Sequence, residues 1–206
     1  MQLRTLFIVV FGLFFNATAF ADTTLETPAE LYYPTVNTTA GNPDGKVTIV
    51  EFYDYNCHYC RELVPIINDV LKKNPDVRVV FRDYPMLGPS SIVAAENAIS
   101  AQQQGKYLAL QTLLLNSKQP LDSVVIMQYA KQTGINTKQL EQATFSYLTQ
   151  QQLRENAQFA KDLEIDGVPT LFVAMTPMST QQMPVDAYKL VSPTQKQLQA
   201  AIDLLK

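Results

Sequence analysis

The stretch from Val47 to Pro85 constrains the fold of this chain more than any other. "VTIVEFYD" (47–54) is β-branched and aromatic, the composition of a largely buried strand. "NCHYCRELVPIINDVLKKN" follows with helical spacing: Leu63, Ile66, Ile67 and Val70 share one face. Asn56 is placed to cap its start, and Asn74-Pro75 stops it. Pro65 lies inside, where it removes a hydrogen bond and bends the helix. "VRVVFRDYP" (77–85) then reads as a second strand. Strand–helix–strand implies a parallel pair joined by a right-handed crossover, so the chain is α/β from its centre outward.

Strand patterning resumes only at "PTLFVAM" (169–175), about eighty residues later, which is too far for a structureless connection. The intervening pattern is helical. Ile92, Ala95 and Ile99 keep one face, Val125 and Tyr129 repeat four apart, and Asn136 with Gln139 reads as a capping box. A long helix is expected from about Tyr147 to Leu163. Residues 88–157 therefore read as an all-helical insertion into a domain made of 47–87 and 158–206. "DAYKLV" is a last strand, and "SPTQKQLQAAIDLLK" a closing helix with Ser192 as cap, Pro193 at its first position and Gln195 completing a capping box. Residues 22–46 form a polar, turn-rich arm ending in "GNPDGK", with a short edge strand expected at Leu31–Pro34.

Residues 1–21 have the pattern of a secretory leader. Arg4 precedes the apolar run "LFIVVFGLFF", and Ala19 and Ala21 are spaced for cleavage before Asp22. The run is shorter than the ~20 residues of a membrane span. With 16 basic against 19 acidic residues, nothing in the charge balance favours nucleic acid. Export implies an oxidising compartment, where disulfides persist. The chain nevertheless has only 2 cysteines, Cys57 and Cys60, closing a very short loop. Such a bridge restrains the unfolded chain by less than the ~3 kcal/mol of a 15-residue loop. A chain of 206 residues can also bury a core without staples. Chemistry explains the pair better than bracing does.

Cys57 opens the helix, where unpaired N–H groups and the helix dipole favour an anion and lower a thiol pKa. It is expected to be the exposed, attacking sulfur, with Cys60 one turn deeper to resolve the mixed disulfide. His58, when protonated, would favour the Cys57 thiolate, and Tyr59 completes the dipeptide. Glu51 stands six residues before Cys57 in a buried strand. Burial should raise its pKa, which suits a proton relay to Cys60. The competing readings are a structural Glu51 paired with Arg82 and a solvated His58. "GVPT" (167–170) opens a strand with proline. A cis Val168–Pro169 bond would leave backbone groups free to pair with an extended chain. A metal site lacks the further cysteines or histidines it would need.

A buried acid, then CxxC, then Pro65, then G-V-P-T, in that order, resemble the thioredoxin superfamily. With the helical insertion, the leader and the wording "GNPDGKVTIVEFYDYNCHYC", residues 40–206 are similar to the DsbA-like thiol:disulfide oxidoreductases of the bacterial periplasm. The resemblance implies a thioredoxin fold with an all-helical insertion and a redox-active Cys57–Cys60 disulfide. It implies a cis Val168–Pro169 facing the Cys57 sulfur, with Val168, Pro169 and Tyr59 binding substrate. No cofactor is implied. The substrates would be thiols of folding exported proteins, and a DsbB-like quinone-linked membrane protein would be the reoxidant. In this chain histidine directly follows the first cysteine, whereas the family's best-known oxidases place it directly before the second. The alternatives are an isomerase or reductase of the same fold, or a secreted binding module without catalysis.

Overall fold

The computed structural model describes residues 24–206, and the expected leader, 1–21, lies outside the described residues. Six strands form one mixed sheet: β1 (Thr24–Thr27), β2 (Thr39–Gly41), β3 (Val47–Tyr53), β4 (Val77–Asp83), β5 (Thr170–Met175) and β6 (Val185–Val191), in the order β1-β6-β5-β3-β4-β2. β3 and β4 are parallel and joined by α1 (His58–Lys73). The other pairings are antiparallel.

Every residue of β3 and β4 is buried, and the period of two divides them between two cores. Val47, Ile49 and Tyr53 join Val77, Val79 and Phe81 on the face covered by α1. Val50 and Phe52 join Val80 and Phe172 on the opposite face, packed on the arm and on Ala160. The register sets Glu51 opposite Phe81 and Phe52 opposite Arg82. Glu51 and Arg82 therefore leave the sheet from opposite faces, which rules out the ion pair considered from sequence. Arg82 is fully buried and donates instead to the carbonyls of Glu30 and Leu31 and to Asn156 Oδ1.

Five helices lie between β4 and β5: α2 (Pro89–Ala101), α3 (Tyr107–Leu115), α4 (Ser123–Gln132), α5 (Thr137–Thr144) and α6 (Tyr147–Asp162). The sequence boundary at 157 falls inside α6. Asn136 caps α5 by accepting from the Gln139 N–H at 3.1 Å. The reciprocal half of the box is replaced, because the Asn136 N–H goes to Gln104 Oε1 at 2.8 Å. The last helix, α7 (Gln195–Asp203), starts later than expected. Thr194, with Gln197, makes the capping box. Ser192 instead takes a positive φ of 44° and donates its N–H to the Pro169 carbonyl, ending β6.

The arm also departs from expectation. Leu31–Pro34 is not a strand: Ala29–Tyr32 form a 3-10 turn whose Leu31 and Tyr32 are buried. Its carbonyls receive the two sheet arginines, Arg78 and Arg82. The arm supplies β1 and β2, so it closes both edges of the sheet. An exposed strand edge invites pairing with other chains, and these short strands occupy both.

Candidate active site

The site is built where β3 ends. Asp54, almost wholly buried, accepts four hydrogen bonds: from the Asn56 N–H and Ser91 Oγ at 2.7 Å each, and from the N–H groups of Met86 and Leu87 at 2.9 Å each. One carboxylate thus ties the turn before α1 to the loop after β4 and to the start of α2. Asn56 does not cap α1. Its amide donates to Ser90 and Ser91 on α2. Cys57 is the N-cap residue, with φ −75° and ψ 120°. Its sulfur therefore occupies the place where a capping oxygen would receive the helix's unpaired N–H groups.

That placement fixes the electrostatics. The Cys57 thiol is pulled down to about 6, first by the Cys60 side chain donating to it and then by the N–H groups of Cys60 and Tyr59, against the opposing effects of burial and Asp54. Cys60 is pushed up by the Cys57 sulfur, by burial and by Glu51. Both cysteines are free thiols. Cys57 is less open than expected, at 7% exposure against 1% for Cys60, because the loop before β5 covers it. Cys57 Sγ lies 3.3 Å from the Val168 carbonyl, to which its thiol form donates. The Val168–Pro169 peptide bond is cis. The Pro169 carbonyl accepts from Ser192, while the Val168 N–H has no partner among the described residues.

The dipeptide points outward. His58 Nε2 sits 3.1 Å from Glu62 Oε1, and its side chain is 76% exposed. Tyr59 is 61% exposed. What lowers the Cys57 thiol is thus Cys60 first and then the N–H groups at the helix start, and the imidazole is not among these influences. Glu51 is buried on the α1 face of the sheet and is pushed up to about 8, by burial first, then by Asp83 and Cys57. It lines a cavity of about 130 Å³ with Ile67, Phe81, Leu108 and Gln111. Sequence reasoning missed Asp54 and Asp83. Each stands at or just past a strand end, where an acid is unremarkable, and no local pattern marks either. It also missed Met86 and Leu87, which lie exposed on the loop that Asp54 holds. Among the described residues no cluster of three or more His, Cys, Asp or Glu is placed to hold a metal, and no helix is long and apolar enough to cross a membrane.

A sequence model of the thioredoxin family matches residues 35–203. The chain belongs to the thioredoxin family. This thioredoxin-family chain is similar to the solved structure of a thioredoxin-like oxidoreductase from Silicibacter pomeroyi DSS-3, with 31% identity, a TM-score of 0.73, and coverage of 85% of this chain and 95% of that one. It is 28% identical to the thiol:disulfide interchange protein DsbA of Burkholderia cepacia over 137 residues, 64% of each chain. It is 27% identical over 135 residues to the Na(+)/H(+) antiporter NhaA 3 of Salinispora tropica, and there the match covers 65% of this chain but only 21% of the antiporter. The chain thus spans about a fifth of the length of the antiporters it matches.

Proposed function

We propose that this protein is a periplasmic thiol:disulfide oxidoreductase that introduces disulfides into exported proteins through a Cys57–Cys60 redox disulfide. The observation that carries the reading is the inequality of the two sulfurs. Cys57 is lowered and lies against Val168, while Cys60 is raised and sealed beneath it. A sulfur that is stable as a thiolate is a good leaving group, and a reduced form stabilised in this way makes the disulfide oxidising.

In the proposed reaction a substrate thiolate attacks Cys57 Sγ. The Cys57–Cys60 bond breaks, and Cys60 leaves with its electron pair. A second substrate thiolate then attacks the substrate's own sulfur in the mixed disulfide, and Cys57 leaves as a thiolate. The substrate dithiol is oxidised and the Cys57/Cys60 pair is reduced. A quinone-linked membrane oxidoreductase of the DsbB type would accept the two electrons and restore the bridge. The Val168 N–H, together with Pro169, offers an extended substrate a backbone partner next to the sulfur. Exposed Tyr59, Met86 and Leu87 would form an apolar rim around the entry. Glu51 would move the proton that Cys60 gains and loses. His58, facing Glu62, would tune the approach of charged substrates.

The test is a trap. Cys60→Ala, expressed in the periplasm of a bacterial host, should accumulate mixed disulfides with exported proteins through Cys57. If none form, while the purified variant still shows a reactive Cys57, the oxidoreductase reading fails. The reduction potential sets the direction: a value near −120 mV marks a donor of disulfides and one near −270 mV a reductant, on the scale of known members.

A further inference from the structure

Asp83 ends β4, and its carboxylate is fully enclosed. Three tyrosine hydroxyls converge on it. Tyr53 and Tyr55 donate to Oδ1 at 2.8 and 2.7 Å, and Tyr107 donates to Oδ2 at 2.8 Å. The hydroxyls also meet one another, Tyr53 to Tyr55 at 2.7 Å and Tyr53 to Tyr107 at 3.0 Å. The donors come from three separate elements: β3, the turn after it, and α3. Among the described residues no cation donates to this cluster. The guanidinium groups of Arg78 and Arg82 lie on the other face of the sheet, on the carbonyls of Tyr32 and Leu31. A buried carboxylate with no cation is costly, and neutral donors aimed at both its oxygens are what keep the ionised form tenable.

The register explains why this matters. Tyr53 stands opposite Asp83 and Glu51 opposite Phe81, so Glu51 and Asp83 are diagonal neighbours on one face of a parallel pair. α1 lies over that face and brings Cys57 and Cys60 to it. Several polar groups surround Glu51. From the sheet comes Asp83, with Tyr53 and Tyr55 standing behind it on its carboxylate. From the start of α1 come Cys57 and Cys60 and from its body the neutral Asn68, and from α3 come the neutral Gln111 and Thr112. Arg61 of α1 is turned away, donating to the carbonyls of Tyr55 and Ser117. Asp54 is held by its own four donors at the helix start.

We propose that Asp83 is a positioning residue for disulfide exchange: its charge, held in place by Tyr53, Tyr55 and Tyr107, adds to burial in keeping the proton on the neighbouring Glu51 carboxyl while the Cys57–Cys60 bridge is closed, so that a proton waits for the Cys60 sulfur. The proposal rests on the oxidoreductase reading above. When the substrate thiolate attacks Cys57 Sγ, one S–S bond forms and another breaks, and the electron pair leaves on Cys60 Sγ. That sulfur takes the Glu51 proton, and Glu51 becomes a carboxylate that solvent later reprotonates. Two facts agree with this order. Cys60 is pushed up by burial and its neighbours, so its thiolate is a poor resting state. Glu51 is raised to about 8 while Asp83 is raised only to about 6, so of two adjacent acids one is charged and the other still carries its proton near neutrality. In the oxidised protein Cys57 carries no charge, which leaves Asp83 as the main charged influence on Glu51.

Two measurements test this. The first is the rate at which glutathione reduces the oxidised protein in a single turnover, corrected for the thiolate fraction of glutathione and followed across pH. The wild-type rate should fall along an alkaline limb below the value of about 8 that Glu51 has beside a free Cys57, since the closed bridge removes that neighbouring charge. Asp83→Asn should move that limb down by about one pH unit, and Glu51→Gln should abolish it. A limb that stays in place in a folded Asp83→Asn protein overturns the proposal. The second is a carbon NMR titration of the Glu51 and Asp83 carboxyls in oxidised wild-type protein, which needs no variant to fold. Glu51 titrating above Asp83, with each step perturbing the other's resonance, supports the proposal. Glu51 titrating in the ordinary carboxylate range overturns it. An oxidised protein that glutathione cannot reduce at any pH would instead sink the oxidoreductase reading, and the titration would still decide whether the two acids are coupled.

Discussion

A sulfur at the N-cap is a weak acceptor, yet Cys57 holds the position that serine or aspartate takes in most helices. The exchange of oxygen for sulfur gives up some capping strength and places a stabilised thiolate at the mouth of the site. The main donor to it is the Cys60 side chain, ahead of the backbone N–H groups. Cys60→Ala should therefore raise the Cys57 pKa from about 6 toward its ordinary value by one unit or more, read from the ultraviolet absorbance of the thiolate. His58→Ala should move the same titration by less than about half a unit, because an imidazole turned to solvent and toward Glu62 interacts weakly with the sulfur. A shift of a full unit in His58→Ala would return the histidine to the role that the sequence first gave it.

At the scale of elements, the site depends on three loops meeting one helix end, and Asp54 is the residue that joins them. Its four hydrogen bonds fix the turn before α1, the Met86-Leu87 loop and the start of α2 together. Asp54→Ala should destabilise the fold by about 2–4 kcal/mol in urea melts, since it strands the backbone donors of Asn56, Met86 and Leu87 and removes their shared acceptor. The same change should lower the Cys57 pKa slightly, because Asp54 opposes the thiolate. Lower stability with a more acidic thiol separates this role from simple damage, which would relax the thiol toward its ordinary value. The contrast between Asp54 and Cys57 also shows what sequence could supply. β3 and β4 were legible as β-branched and aromatic runs, which is what burial on both faces selects, and α1 and the long α6 by helical spacing. The helix starts at Asn56 and Ser192 were misread for a tertiary reason. Asn56 is claimed by Ser90 and Ser91, and Ser192 by the Pro169 carbonyl. Cys57, Cys60, Glu51 and Pro169 stood out by their spacing along the chain. Asp54 and Asp83 acquire their meaning from Ser91, Met86, Tyr53 and Tyr107, which the fold, and not the local sequence, brings to them.

For the whole molecule, the buried ionisable groups tie folding, pH and redox state together. Glu51 and Asp83 are raised in the folded protein, from 4.5 to about 8 and from 3.8 to about 6. Between those limits the folded state binds more protons than the unfolded chain, so stability falls as pH rises from about 4 to about 8. Glu51→Gln removes the larger part of that loss and should stabilise the protein by roughly 2–4 kcal/mol at pH 7–8, with little gain at pH 4. Cys57 acts in the opposite sense, and only in the reduced protein. Its thiol falls from 9.0 to about 6 on folding. The stability it contributes is present above pH 9 and is lost as pH falls through 6. Cys60, raised, stays protonated in the fold and begins to oppose this gain only as pH nears 9, where the unfolded thiol ionises. The oxidised protein should therefore lose stability steadily toward pH 8, whereas the reduced protein should level off or recover above pH 6. The gap between their urea midpoints, reduced minus oxidised, should widen with pH from 6 to 9. By the thermodynamic cycle that links folding to reduction, a reduced state favoured in this way makes the folded disulfide more oxidising than the same pair in the unfolded chain. Parallel melts of the two redox forms at pH 5, 7 and 9 measure this directly. Curves that keep a constant separation would mean that the Cys57 thiolate is no better held in the fold than in a free peptide.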